Sequence, residues 1–348
     1  MNGSMKSVTA FAPATVSNVG CGFDVLGFAL NAPGDEVTAR FLGGRESFAA
    51  SEHPDAQKRQ TTPDPLVVID DIAGDQGRLP RDAAKNTAGI AARALLAILG
   101  ERRGVALSIR KGLPLSSGLG GSAASAVAAV VAVDALLDAH APLDTLMGCA
   151  FEGERVGAGS AHGDNIAPAV YGGFVLVRVP NPPDVVRLPV PRGLTAVVVH
   201  PDLEIETARA RALLGTTVEL GDAIRQWANL GALVDALHRA DYALLSRALE
   251  DTIAEPRRAS LVPGLAEIKQ AAVEAGALGC GLSGSGPSLF ALCRDASSAQ
   301  AVAAAMTAAV RRHIGGEPQT YVSPVDSPGA RVVSHAGPQI SSLESSEA

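Results

Sequence analysis

Apolar and polar positions recur with two different spacings along the chain, and the changes between them mark the predicted elements. Short apolar or alternating runs predict strands at 8–14, 37–41, 66–69, 105–109, 171–179, 194–200 and 289–293. Apolar residues that recur every three or four positions predict helices at 86–99, 123–139, 142–156, 206–214, 221–239, 242–251, 265–275 and 297–314. Because strands and helices are interspersed without an internal repeat, we expect a mixed α+β fold.

Two changes of composition divide the chain. The segment 180–184 reads PNPPD and follows a predicted strand, so we place a domain boundary there. From Ser327 onward the chain is rich in Ser, Gly and Pro, which predicts a flexible tail. A chain of 348 residues is long enough for two domains. The predicted organisation is an N-terminal domain over 1–184, a C-terminal domain over 185–326, and a tail over 327–348.

Composition and charge exclude several classes of protein. Apolar residues make up 47% of the chain, which excludes intrinsic disorder for most of it. The formal net charge is −7 and no run of Lys or Arg stands out, so we expect no nucleic-acid partner. The cysteines form no C-x-x-C pair and lie among apolar residues, which favours buried reduced thiols over disulfides or a metal site: Cys21, Cys149, Cys280 and Cys293.

The sequence contains no segment typical of secretion or membrane insertion. The first ten residues lack the apolar core of a signal peptide. The longest charge-free helical stretch, 123–133, is much shorter than the roughly 18–20 residues of a membrane span. We therefore expect a cytoplasmic protein with no membrane partner.

The strongest chemical signal is a glycine-rich segment between a predicted strand and a long apolar helix. Residues 114–124 read PLSSGLGGSAA, and four glycines between 112 and 121 let the backbone approach a ligand and adopt positive φ. The helix that follows presents unpaired N–H groups and a positive dipole end, which together are typical of a phosphate site. Ser116, Ser117 and Ser122 add hydroxyl groups, which are hydrogen-bond donors or a metal ligand.

Three phosphate-loop types compete for this segment. A Walker loop needs a lysine that is absent after Gly118. Residues 118–123 match the dinucleotide fingerprint, but more than 100 residues precede them, and the acidic residue expected further on falls within a predicted helix. The third type has a preceding proline and the pattern GLG-[SG]-SAA. A tight turn that only starts a helix remains the structural alternative. A second glycine-rich segment at 279–287 favours one site built from two domains.

Three separated motifs together resemble those of the GHMP kinases. Residues 12–27 read APATVSNVGCGFDVLG, 114–124 form the second motif, and 281–287 read GLSGSGP. Their order and spacing fit from residue 8 to about 325, so the resemblance covers nearly the whole chain. Within this family, four segments resemble the homoserine kinase branch: NVGCGFD at 18–24, SAHGDNIAP at 160–168, Thr207 with Arg211, and AEPRR at 254–258. The N-terminal signatures of galactokinases and mevalonate kinases are absent.

This resemblance implies a fold, an activity and its cofactors. The expected fold is an N-terminal domain like ribosomal protein S5 domain 2 followed by a ferredoxin-like C-terminal domain. The expected activity is ATP-dependent phosphorylation of the hydroxyl of L-homoserine in threonine biosynthesis, with Mg²⁺ bound beside the nucleotide. A homodimer is also expected.

The resemblance also implies site residues. The ATP phosphates are assigned to the loop residues Pro114, Leu115, Ser116, Ser117, Gly118, Leu119, Gly120, Gly121, Ser122, Ala123 and Ala124, and Mg²⁺ to Ser122 and Glu154. The L-homoserine contacts are Asn18, Asp24, Thr207, Arg211 and Arg258, with Asp24 facing the ammonium group and the two arginines the carboxylate. His162, Asp164 and Asn165 are placed at the reaction centre, without a group assigned to proton abstraction. Adenine contacts are poorly marked; Asn86 and Lys111 are the candidates.

Two departures from the family pattern and two alternatives accompany this prediction. Gly121 stands where the family usually has a serine, and Gly163 where an aromatic residue is common, so we expect a more flexible loop, weaker ATP binding and a looser pocket. Glu152 lies close to Glu154 and is easily confused with it. The alternatives are a GHMP kinase for another small alcohol and a non-catalytic binding protein with this fold.

Overall fold

Two β-sheets, each covered by helices, form the protein. The computed structural model describes residues 6–42, 66–157 and 161–336. The strands are β1 Ser7–Ser17, β2 Leu26–Phe41, β3 Val67–Ala73, β4 Val105–Arg110, β5 Phe174–Pro180, β6 Pro183–Leu188, β7 Thr195–His200, β8 Gly279–Leu282, β9 Leu289–Cys293, β10 Gln319–Pro324 and β11 Arg331–Ala336. The helices are α1 Thr87–Ile98, α2 Gly121–Leu137, α3 Leu143–Gly157, α4 Gly163–Tyr171, α5 Thr207–Ala212, α6 Leu220–Arg239, α7 Tyr242–Ala248, α8 Ala254–Arg258, α9 Leu265–Glu274 and α10 Ala296–His313, with a 3-10 turn at Ala259–Leu261.

Among the described residues, the larger sheet has seven strands, and the long strand β2 organises it. The order is β11-β1-β2-β4-β3, with β5 paired to β2 and β6 to β5. β2 changes partner along its length: its first residues pair with β5, and its last residues, from Glu36 to Phe41, pair with β4. The β3–β4 pair is parallel and the other pairs are antiparallel.

Helix α2 is the centre of the larger core because its side chains are small. It contains mostly Ala and Val, is buried along nearly its whole length, and packs on β1 and β2 with α1 and α3 beside it. Small side chains let the helix approach the sheet closely. Burial of the helix therefore fixes the position of its N-terminus, where the glycine-rich loop ends.

In the part of the chain that the structure describes, the smaller sheet has four antiparallel strands in the order β10-β7-β9-β8. Helices α9 and α10 cover it, and its core is a separate cluster that includes Val197, Ile268 and Met306. Helix α10 begins with a capping box, in which the Asp295 side chain accepts from the Ser298 backbone N–H.

The structure differs from the prediction at the first domain boundary and in the tail, whereas the smaller sheet ends at Pro324, close to the predicted end at 326. The turn at 180–184 joins β5 to β6 as a hairpin, with Pro180 opposite Pro183, so the chain leaves the larger sheet only after Leu188. The predicted tail begins at Ser327, but Arg331–Ala336 forms the edge strand β11 on β1. Strand pairing across more than 300 residues leaves no local signal. Residues 337–348 of the predicted tail and Ser160 of the 160–168 motif lie outside the described residues.

The structure also bears on the predictions for the cysteines and for membrane spans. Cys21, Cys149, Cys280 and Cys293 are all buried and free, and burial raises the pKa of each thiol. This confirms the expected burial of the four thiols. Within the described parts of the chain, no helix combines the length and the apolar character that crossing a bilayer requires.

Candidate functional site

The glycine-rich loop connects β4 to α2 and follows a path that only glycine permits at two positions. Gly118 and Gly120 have φ of 77° and 67°. A Cβ atom at Gly120 would lie 2.2 Å from Thr15 Oγ1 and 2.8 Å from Asn165 Oδ1. At Gly118 it would lie 2.4 Å from the carbonyl oxygen of Ser283. The two glycines let the loop pack tightly against its neighbours.

The second glycine-rich segment, 279–287, supports the loop from the smaller sheet. Ser283 Oγ donates to the Gly118 carbonyl at 2.8 Å, and the backbone N–H of Ser288 donates to the Ser117 carbonyl at 3.2 Å. The Gly284 N–H donates to the Ser17 carbonyl at 3.0 Å. The two segments therefore pack against each other, although they lie far apart in the sequence.

A cavity of about 440 Å³ runs from this loop to the second domain. That volume suits a small-molecule site. Most of the sequence-predicted site residues line it: Asn18, Asp24, Pro114, Leu115, Ser116, Ser117, Gly118, Gly120, Gly121, Ser122, Ala123, Glu154, His162, Asn165, Thr207, Arg211 and Arg258. Leu119 and Ala124 lie in the hydrophobic core instead, and Asp164 is buried behind the cavity wall.

Several lining residues carry no sequence signal for a site. Arg78, Leu79 and Pro80 belong to the segment between β3 and α1, for which the sequence patterns predict neither an element nor a function. The Arg78 guanidinium forms two hydrogen bonds, at 2.6 and 3.0 Å, with the carboxylate of Glu204, just before α5. Asn86, an adenine candidate, lines the cavity and caps α1, its Oδ1 accepting from the Ala88 N–H at 3.0 Å.

Glu154 on α3 is a buried carboxylate beside the loop. It is 5% exposed, and its Oε1 has no hydrogen-bond partner among the described residues. Burial raises the pKa of Glu154 to about 6. A hydrogen bond with Ser122 and the charges of His162 and Lys111 act in the opposite direction but are outweighed. Glu152 lies on the exposed side of the same helix and pairs with Arg155 at 2.7 Å. The two carboxylates, which the sequence does not separate, therefore have different surroundings.

Asp24, Arg211 and His162 meet at the far end of the cavity. Arg211 Nη2 donates to both carboxylate oxygens of Asp24, at 3.0 and 2.9 Å, and lies 3.4 Å from His162 Nδ1. Burial acts to raise the pKa of Asp24, but His162 and Arg211 hold it below its usual value. The Asp24 hydrogen bond raises the pKa of His162, although burial opposes it. The cluster holds charges of both signs.

A buried arginine completes this end of the cavity. Arg258 is 4% exposed and donates to the carbonyl oxygens of Ala210 at 3.3 Å and Gly284 at 3.1 Å. Its guanidinium lies 5.3 Å from the centre of the Phe23 ring, and that of Arg211 lies 5.9 Å from the same ring. Two cations therefore stand beside one aromatic face near Asp24.

Asp164 and Asn165 support the cavity wall from α4. Asp164 Oδ2 accepts from the Asn18 N–H at 3.0 Å, and Asn18 Oδ1 accepts from the Asp24 N–H at 2.8 Å. Burial raises the pKa of Asp164 to about 6, with the nearby Asp24 charge adding to it. Asn165 Oδ1 accepts from the Thr15 hydroxyl at 2.8 Å, so the amide NH₂ is the group left for a ligand.

Known proteins are similar to this chain over the regions that build the cavity. The family model for the N-terminal domain of GHMP kinases matches residues 86–173, and the model for their C-terminal region matches residues 233–312. A homoserine kinase of Chloroherpeton thalassium is 44% identical over 335 residues, which cover 94% of this chain and 100% of that protein. A homoserine kinase of Chlorobium phaeovibrioides is 46% identical over 336 residues, with coverage of 94% and 100%. The chain belongs to the homoserine kinase family of GHMP kinases.

Solved structures agree with this assignment. The crystal structure of homoserine kinase from Cytophaga hutchinsonii has a TM-score of 0.85 and 45% identity, covering 94% of this chain and 97% of that one. The mevalonate kinase of L. major, at 18% identity and a TM-score of 0.66, shares the fold alone. The predicted α+β GHMP kinase fold is confirmed, and so is the family to which the sequence motifs point.

Proposed function

We propose that this protein transfers the γ-phosphoryl group of ATP to the side-chain hydroxyl of L-homoserine and releases ADP and O-phospho-L-homoserine, an intermediate for threonine. One observation carries the proposal: a single cavity joins a phosphate loop to a pocket that holds a carboxylate and two guanidinium groups. The relatives named homoserine kinase support it. A cytoplasmic location and a homodimer belong to the same proposal, and light scattering of the purified protein tests the second.

The loop end of the cavity suits the triphosphate. The first N–H groups of α2 have no acceptor within the helix, and its dipole favours an anion at this end. Gly120 precedes the helix in a left-handed conformation and brings the backbone to the cavity surface. Hydroxyl groups of Ser116, Ser117 and Ser122 lie along the same segment.

Glu154 and Ser122 fit a magnesium site. The observation that tests the fit is the buried Glu154 Oε1, which has no partner among the described residues and whose burial is costly unless a cation compensates it. Mg²⁺ prefers one or two carboxylates together with phosphate oxygens and water. When bound, Mg²⁺ supplies charge neutralisation at the phosphate oxygens.

The far end of the cavity suits a zwitterion. The Asp24 carboxylate matches an ammonium group, and the guanidinium groups of Arg211 and Arg258 match a carboxylate. In the structure Arg211 and Asp24 neutralise each other. A ligand with both charges replaces this pair without leaving either side chain unpaired, whereas a ligand with one charge leaves one of them uncompensated. Thr207, exposed at the start of α5, completes this wall.

We place the reacting hydroxyl between these two ends, beside Asn18, His162 and Asn165. The side-chain amides of Asn18 and Asn165 hydrogen-bond the acceptor and orient its oxygen toward the γ-phosphorus. As the new O–P bond forms, the bond to ADP breaks and the hydroxyl proton passes to water. Asp164 lies behind the wall, so we assign it the support of Asn18 and not proton abstraction. Rate enhancement then comes from positioning and charge.

A coupled assay of ADP release with Mg-ATP and L-homoserine tests the proposal. We expect turnover with L-homoserine and little with mevalonate or galactose, which represent other GHMP kinases. 4-Hydroxybutyrate lacks the ammonium group and 3-aminopropanol lacks the carboxylate, so both should be poor acceptors. The absence of turnover at millimolar L-homoserine would refute the proposal. Nucleotide binding without turnover of any acceptor would favour a non-catalytic binding protein.

A further inference from the structure

Beneath the phosphate loop, three buried side chains form one network. Asp35 of β2 is fully buried, Lys111 follows β4, and Ser125 lies in the first turns of α2. The Lys111 ammonium donates to Asp35 Oδ2, to Ser125 Oγ at 2.9 Å, and to the backbone carbonyl of Gly121 at 2.6 Å. Ser125 Oγ donates to Asp35 Oδ2 at 2.6 Å. We call Asp35, Lys111 and Ser125 the loop clamp.

The loop clamp holds both ends of the phosphate loop at one point. On the near side, the Gly112 N–H donates to Asp35 Oδ1 at 3.0 Å. On the far side, Lys111 and Ser125 tie Gly121 and the first turns of α2 to the same carboxylate. The loop between these ends is therefore closed at its base by buried, charge-assisted hydrogen bonds, which are stronger than exposed ones.

The bond to the Gly121 carbonyl has a directional consequence. The carbonyl of Gly121 and the N–H of Ser122 belong to one planar trans peptide, so they point in opposite directions. Because the carbonyl is held toward the buried Lys111, the Ser122 N–H is turned away from it. Gly121 and Ser122 both line the cavity, and this N–H is one of those that α2 leaves without an internal acceptor.

The hydrogen-bond count sets a limit on what else Lys111 does. A lysine ammonium has three N–H donors. Asp35, Ser125 and Gly121 supply three acceptors, and the lysine side chain is only 2% exposed. No N–H of the Lys111 ammonium remains for an adenine ring, which sets aside this side chain as an adenine contact.

We propose that Lys111, which lines the cavity, is a positioning residue of the nucleotide site: held by Asp35 and Ser125, it orients the Ser122 N–H toward the phosphates, and its ammonium does not contact the base. This inference rests on the proposed use of ATP. Lys111 is therefore expected to strengthen nucleotide binding through the phosphate groups alone. Adenosine, which has the base and lacks the phosphates, therefore distinguishes the two roles.

The test measures ADP and adenosine binding by displacement of a fluorescent ADP analogue, without an acceptor. Lys111→Met should raise the Kd for ADP at least tenfold and leave the Kd for adenosine within twofold. An equal loss of adenosine affinity would overturn the proposal in favour of a base contact, and an unchanged Kd for ADP would overturn it outright. Lys6→Met is the matched control, because Lys6 donates to the Leu136 carbonyl at the opposite end of α2.

A double variant separates positioning from simple stability. Lys111→Met alone leaves Asp35 buried without its cation, which is strongly destabilising. Lys111→Met with Asp35→Asn removes both charges and should recover thermal stability while ADP binding stays weak. If ADP affinity returns together with stability, the role is only structural and the proposal fails. If wild-type protein binds no ADP or ATP, it is the proposed function that fails.

Discussion

Replacing Glu154 with glutamine should make the protein more stable and inactive at the same time. Burial raises the pKa of Glu154 from its ordinary value of 4.5 to about 6. A shift of ~1.5 units at ~1.36 kcal/mol per unit corresponds to about 2 kcal/mol. The folded state binds the proton more tightly than the unfolded state, so the free energy of unfolding falls as the pH rises from 4.5 to 6. Above pH 6 the full destabilisation is present, and neutral glutamine does not suffer it.

Urea unfolding at several pH values in the presence of EDTA measures this effect. Glu154→Gln should exceed the wild type in the free energy of unfolding by about 2 kcal/mol at pH 8 and by little near pH 4.5. Asp164 has a pKa raised in the same direction, so the comparison is the difference between variant and wild type at each pH. Added Mg²⁺ should stabilise the wild type alone, and turnover should fall at least ~100-fold in the variant.

Glu152→Gln is the matched control for this prediction. Glu152 lies two residues earlier on α3, is partly exposed, and has its pKa lowered by Arg155. Its replacement should change stability by less than about 1 kcal/mol and leave the response to Mg²⁺ intact. If Glu154→Gln is no more stable than the wild type at pH 8, or if its advantage does not shrink at low pH, the argument from burial is wrong.

Three further changes test other parts of the site. Arg211→Ala should raise KM for L-homoserine at least ~10-fold, because a charge-assisted pair is lost, whereas Arg209→Ala on the exposed face of α5 should leave KM unchanged. Equal KM values in the two variants would show that Arg211 does not belong to the acceptor site. Gly120→Ala should abolish nucleotide binding and lower the free energy of unfolding by on the order of 1–3 kcal/mol, because of the positive φ and the contact with Thr15. Gly121→Ala, whose added Cβ would have no atom closer than 3.5 Å, should keep both properties, as measured by calorimetry. Asp24 raises the pKa of His162 above 6.5, so His162 adds stability that is complete below pH 6.5 and is lost as the pH rises through the raised pKa. His162→Gln should reduce this fall in the free energy of unfolding with pH, and an unchanged pH profile would contradict the pairing of His162 with Asp24.

The elements that the sequence predicts well are those with strong periodicity. The helices over 86–99 and 221–239 appear as α1 and α6, each within one residue at its ends, because their apolar stripes are continuous. The sequence does not predict the first half of β2, since LGFALNAPGD contains Asn, Pro and Gly, which are typical of a turn. The sequence pattern does not predict helix α4, because the helix contains Pro168 and begins at a glycine. Strand β11 needs its distant partner β1 to form.

The site shows the same division between local and long-range information. Glu154 and Glu152 are 200° apart around a helix at 100° per residue. Glu154 follows Met147 and Ala150 on the buried stripe of α3, so helical periodicity could have separated the two carboxylates. Arg78 gives no such signal, because it reaches the cavity from a turn and pairs with Glu204 across 126 residues.

The sequence by itself determined the family, the phosphate loop and the residue types that an ATP-dependent transfer to a zwitterion requires. These follow from local patterns: glycine at positions of positive φ, a helix start after a loop, and motifs in a set order. Only the tertiary structure decided which charges meet. Asp24 and Arg211 lie 187 residues apart, and Asp35 reaches Lys111 across 76. Such pairs form because two sheets close around one cavity, and burial, which changes the pKa of Glu154 and Asp164, exists only after the chain has packed.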